Sequence, residues 1–243
     1  MLRARELKKM ELNMTLKQTL NELQALGSQK NIDGMKLFNI SSAKAFGVSA
    51  PLIRTLAKKI KKDHELALAL WDSEYHEARI LAAIIADPER SDLAMLDRWA
   101  NEIQNWAQCD NCCAELFEKT KYAYRLPFRW SKNKNEFVRR AGIVMIAVLA
   151  VHHKKSEDSE FEKFLPLIKK YSTDERNFVK KAVNWALRQI GKRNLQLRKK
   201  AIALSEEIQN IPSAGARWIA SDALRELNDP KIIAMIKRRK GEL

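Results

Sequence analysis

Glycine and proline are scarce in this sequence, seven and six in 243 residues, and runs alternating valine with threonine are almost absent. A sheet protein needs many turns and β-branched strands, so an all-β fold is excluded. No apolar run approaches the ~20 residues of a membrane-spanning helix. No signal-peptide pattern opens the chain, so the expected location is the cytoplasm or the nucleoid within it. The phosphate-cradling G-x-x-x-x-G-K-[ST], the dinucleotide-binding G-x-G-x-x-G, the nucleophile elbow G-x-S-x-G and the zinc-binding H-E-x-x-H are all missing. Their absence argues against a nucleotide-dependent enzyme, a serine hydrolase and a zinc peptidase, and no cofactor is expected. Cysteine is confined to Cys109, Cys112 and Cys113. A structural zinc site wants four ligands, yet Cys109-x-x-Cys112 has no second pair, and the adjacent His152 and His153 have poor ligand spacing. The three read as reduced thiols on a helix, and no metal is expected.

What is abundant is positive charge. Forty-five Lys and Arg stand against thirty Asp and Glu, a net +15. Such an excess favours a polyanionic partner, because cationic side chains displace the counterions condensed on phosphates. With 46% apolar residues the chain can bury a sizeable core. Its segments read as successive helices joined by short polar loops such as Ser131-Lys-Asn-Lys134 and Ser172-Thr-Asp-Glu175. Asn135-Glu-Phe-Val-Arg-Arg-Ala141 is echoed by Arg176-Asn-Phe-Val-Lys-Lys-Ala182, and Ala78-Arg79 and Ala216-Arg217 repeat the small-then-basic start. A period near 40 residues of paired helices is the mark of HEAT-like repeats. The expected fold is all-α, a curved α-solenoid of antiparallel helix pairs. It would be a single domain, with an N-terminal helical cap over residues 1–40 and the repeat array over 41–243.

Three places depart from ordinary helix patterning. A helix drawn from Trp99 to Lys119 at about 100° per residue puts Trp99, Ile103, Trp106, Cys113 and Phe117 on one face. Asp110 lands in the middle of that face, four residues after Trp106. Either it is a partly desolvated carboxylate that needs a cationic partner, or it caps a helix beginning at Asn111. On the helix from Asn177 to Lys192, Trp185 lies about 110° off the apolar stripe, beside Lys181, Arg188 and Lys192. That row reads as a surface for phosphates and sugar with the indole as a flat contact, or else as an indole packed beneath lysine stems. Arg140 shares the polar side of an otherwise apolar helix with Glu136 and Arg139, where Gly142 and Ala147 leave room. It is placed to reach an anion, or to pair with Glu136 on the surface.

These residues resemble the AlkD-like DNA alkylation repair enzymes, alkylpurine DNA glycosylases built of HEAT-like repeats. Trp106-x-x-x-Asp110 looks like that family's tryptophan and catalytic aspartate. Phe137-Val-Arg-Arg140-Ala looks like the segment holding its arginine, and Phe178 to Arg188 like the segment with its second tryptophan, Trp185. The similarity runs from about Phe46 to Leu227. It implies an enzyme that excises cationic purines, N3-methyladenine and N7-methylguanine, from double-stranded DNA in base excision repair, working as a monomer. Asp110, Trp106, Trp185 and Arg140 would then form the catalytic set, and Lys181, Arg188, Lys192 and Arg139 would bind DNA. A HEAT-repeat module that binds DNA or RNA without catalysis is the alternative.

Overall fold

The computed structural model describes residues 14–40 and 44–239 of the chain. Among them every regular element is helical. They divide into two compact units at Met95 and Leu96.

The first unit holds α1 (Leu16–Ala25), α2 (Gln29–Leu37), α3 (Ala50–Ile60), α4 (His64–Asp72) and α5 (His76–Ile85). Local signals explain the starts. Thr15 and Gln18 close a capping box on α1, and Asp63 accepts from the Leu66 amide at the head of α4. The α5 side chain Glu77 is fully buried and accepts from the backbone amides of Phe46 (2.9 Å), Gly47 (2.7 Å) and Val48 (3.2 Å). That carboxylate fixes the segment leading into α3. Residues 1–13 of the expected N-terminal cap lie outside the described residues.

The chain crosses into the second unit within α6 (Leu93–Glu102) and continues with α7 (Trp106–Glu115), α8 (Leu126–Trp130), α9 (Glu136–His152), α10 (Asp158–Glu162) and α11 (Leu165–Tyr171). It ends with α12 (Asn177–Gly191), α13 (Leu195–Gln209), α14 (Ala214–Leu227) and α15 (Pro230–Arg239). The repeated sequence starts become repeated helix starts: α9, α12 and α14 follow N-cap residues Asn135, Arg176 and Ser213. Those positions are 41 and then 37 residues apart. Neighbouring helices of this set run parallel. Cys109 Sγ points at the Phe137 carbonyl (3.8 Å) and Cys113 Sγ at the Ala141 carbonyl (3.6 Å), a constant 28-residue register between α7 and α9. Glu136 meets the Phe178 amide near the start of α9, and Arg193 meets the Ala150 carbonyl near its end, so α12 keeps the same direction. Asn184 bonds to the Ile219 carbonyl and Lys192 to Glu226, which extends the set to α14. These are the second helices of successive HEAT-like pairs.

Helix α9 is the core of this unit, buried continuously from Arg140 to Ala150. A Cβ on Gly142 would lie 2.6 Å from the Ser131 nitrogen and 3.0 Å from the Trp130 carbonyl carbon. The room expected beside Arg140 is thus where backbone approaches closely, that of the end of α8.

Candidate active site

Asn105 starts the site. Its side chain accepts from the Gln108 amide and caps α7, so Trp106 is the first helical residue and Asp110 lies one turn on. Asp110 is thus not a cap. The continuous helix expected from Trp99 to Lys119 does not form either, because α6 ends at Glu102 and Phe117–Lys119 is a separate 3₁₀ turn. Trp99 and Phe117 go to the core, and Gln108 is buried with them.

Asp110 does have a cationic partner. Arg140 donates from Nε to its Oδ1 (3.0 Å) and from Nη2 to its Oδ2 (2.8 Å), a bidentate pair. The third arm of the guanidinium, Nη1, donates to the Phe178 carbonyl at 2.6 Å. One side chain therefore ties α7, α9 and α12 together. The arginine is 7% exposed and the aspartate 24%, so the cation is sealed while the carboxylate keeps an open side. Burial pushes the Asp110 carboxyl above the ordinary carboxylate value, with Arg140 pulling against it. Glu136 takes no part: it accepts from the Phe178 amide at 3.2 Å. Arg140 reaches an anion as expected, but that anion is Asp110. Its Nε, Nη1 and Nη2 are all engaged by protein acceptors.

Trp106 and Asp110 are four residues apart on α7, and both are half-buried. Phe178 and Trp185 are seven residues apart on α12, so their side chains share one face of the helix whose Phe178 carbonyl receives Arg140. The rings of Phe137 and Phe178 pack at 5.4 Å between α9 and α12. Trp185 is half-buried and Lys181 is exposed beside it. With the Gln189 amide turned oxygen-first, it accepts from the Trp185 indole N–H at 3.0 Å and from Lys192 Nζ at 3.2 Å.

Two of the three cations around Trp185 are paired. Arg188 pairs with Glu226, and its Nε lies 3.6 Å from Asp222; Lys192 Nζ sits 2.6 Å from Glu226. Both acids come from α14. Arg139 points away from the site, donating to Asp174 (2.7 Å) and to the Asn133 carbonyl (3.0 Å).

The sequence model for DNA alkylation repair enzymes matches residues 19–227, most of the chain. The chain belongs to the DNA alkylation repair enzyme family. Among solved structures it is similar to "a new family of proteins related to the HEAT-like repeat DNA glycosylases with affinity for branched DNA structures". That likeness has a TM-score of 0.73 at 23% identity, covering 88% of this chain and 95% of the other, and it establishes the HEAT-like fold. A designed armadillo repeat protein is a more distant likeness, with a TM-score of 0.41 and 17% identity over 86% of this chain and 99% of that one. No curated protein matches the sequence.

Within this alkylation repair fold, no group of three or more His, Cys, Asp or Glu among the described residues could hold a metal ion. The three cysteines are buried and form no disulfide, and burial pushes the Cys113 thiol well up. No helix among the described residues is long and apolar enough to cross a membrane. Two contributors escaped the sequence. Phe178 acts through its carbonyl, which no side-chain pattern reports. The loops at 131–134 and 172–175, read only as connectors, meet around Arg139, and the lysines of the first were the available signal.

Proposed function

We propose that this family member is a DNA glycosylase that removes alkylated purines such as N3-methyladenine and N7-methylguanine from duplex DNA in base excision repair. What carries the reading is the Asp110–Arg140 pair: a carboxylate held rigidly from behind, open on one side and set between helices that bear Trp106 and Trp185.

Alkylation leaves a positive charge on the purine, so the base departs neutral and needs little protonation. Positive charge develops instead on the deoxyribose at C1′, as in glycoside hydrolysis. A fixed anion stabilises such a centre without reorganising during the reaction. Asp110 supplies that anion. Each of its oxygens accepts one N–H from Arg140, which leaves lone pairs to orient an attacking water. Trp106 and Trp185 present electron-rich faces to the sugar, worth about 0.5–2 kcal/mol each as cation–π contacts. Arg140 acts through Asp110 as a positioning residue, and Lys181 contacts phosphate. One chain carries the whole set, so a monomer suffices.

The test is release of N7-methylguanine from methylated duplex DNA by the wild type and by Asp110→Asn. The wild type is expected to release the base, and the variant to lose release by at least a hundredfold with DNA affinity within a few-fold. A wild type that binds duplex but releases nothing would instead favour a non-catalytic DNA-binding protein. The affinity for branched DNA of the related solved family favours that second reading.

A further inference from the structure

Beside the site lies a basin of about 690 Å³, whose lining includes Lys132, Lys134, Arg139, Lys170, Asp174 and Arg176. Five cations surround a single carboxylate. Asp174 accepts from Arg139 Nη1 (2.7 Å), from Arg176 Nε (2.9 Å) and Nη2 (2.6 Å), and from the Arg176 amide (3.1 Å). Burial pushes its carboxyl up, but the Arg176 and Arg139 hydrogen bonds outweigh this and bring it down to about 2. The acid is consumed in bracing two guanidiniums. Arg176 Nη1 also donates to the Lys134 carbonyl at 2.7 Å, and Arg139 stacks 4.9 Å from the Tyr171 ring centroid. The two loops are thereby locked as the floor, while the exposed Lys132, Lys134 and Lys170 stand around the rim.

We infer that this basin seats backbone phosphates of DNA flanking the nucleotide at Asp110. The inference rests on the reading of the chain as a DNA repair enzyme and adds where the phosphates are held. Of the row expected to hold them, Lys181, Arg188 and Lys192, the last two are neutralised by Glu226 and Asp222. The basin keeps an excess of cations over acids. It adjoins the site through the chain itself, since Arg139 precedes Arg140 and Arg176 stands two residues before Phe178. It also lies at the first turns of α9 and α12, where the helix dipoles are positive. Lysine heads on a wide, open rim suit a succession of phosphates, whereas one tightly held free anion needs an enclosed ring of fixed donors.

The experiment measures equilibrium binding of the full chain to unmethylated duplex DNA across a salt series. It compares the wild type, K132Q/K134Q/K170Q, and a control in which three exposed lysines that do not line the basin are changed, K30Q/K58Q/K155Q. Thermal unfolding of both variants confirms the fold, because all six positions are exposed. Log K against log salt is expected to flatten by about 0.9 for each phosphate no longer neutralised, about 2.7 for the basin variant, with the control parallel to the wild type. Parallel lines for all three proteins, or equal flattening in both variants, would overturn the inference. Inorganic phosphate separates the sources: phosphate binding abolished in the basin variant with an unchanged DNA slope would assign the basin to a free anion and overturn it. Base release is scored apart. Failure to release N7-methylguanine with the slope difference intact sinks the glycosylase reading and leaves the basin standing.

Discussion

At the scale of the residue, Asp110 and Arg140 are one unit. A buried ion pair brings little net stability, because desolvating two charges offsets most of their attraction, yet removing one partner strands the other. Arg140→Met is therefore expected to cost about 3 kcal/mol in urea unfolding by leaving a poorly solvated carboxylate. Asp110→Asn together with Arg140→Met is expected to recover at least half of that loss. A double variant as unstable as the sum of the two single ones would mean that the pair is not coupled. The sequence made half of this legible. The Trp106-x-x-x-Asp110 spacing marks a carboxylate out of place, and Arg140 stands out on an apolar helix. That the two belong to each other could not be read. They are 30 residues apart on different helices, and their meeting depends on the register that the small side chains of α7 and α9 allow.

At the scale of the element, the readings that succeeded were those with a repeating local signal. The echo of Asn135–Ala141 in Arg176–Ala182 located the starts of α9 and α12, because both mark the same position in a repeated helix pair. The reading that failed was continuity through residues 103–105, where the apolar period persists but Asn105 turns its backbone extended and caps a new helix. Periodicity measures faces and is blind to such an interruption. Gly142 was legible as a gap in side-chain volume, but such a gap does not say which backbone fills it. Gly142→Ala would set a Cβ against the Trp130–Ser131 backbone. It is expected to destabilise the second unit by about 1–3 kcal/mol in urea unfolding, despite alanine's better helix propensity. A stabilised variant would mean that α8 yields readily.

At the scale of the whole molecule, a net charge of +15 says that a polyanion is attracted and leaves open where it rests. Here the folded chain redistributes its charges. Acids from α14 cancel Arg188 and Lys192 of α12. Burial pushes the Glu226 carboxyl up, but its hydrogen bonds from those two cations outweigh this and hold it below its ordinary value. Glu226 thus draws two cations away from any phosphate. Glu226→Gln is expected to free Lys192 and to leave Arg188 with Asp222 alone, tightening duplex binding at low salt and steepening the salt dependence by about 0.9 for each cation that finds a phosphate. The contrary result, weaker binding with an unchanged slope, would mean that the Glu226 pairs shape a surface DNA requires as built. The same variant bears on the glycosylase reading, because phosphates held at α12 lie on the helix of Trp185. If the sugar docks against that indole, release of N7-methylguanine at limiting enzyme should rise with affinity. If affinity rises and release does not, the freed cations hold DNA in a register that misses Asp110.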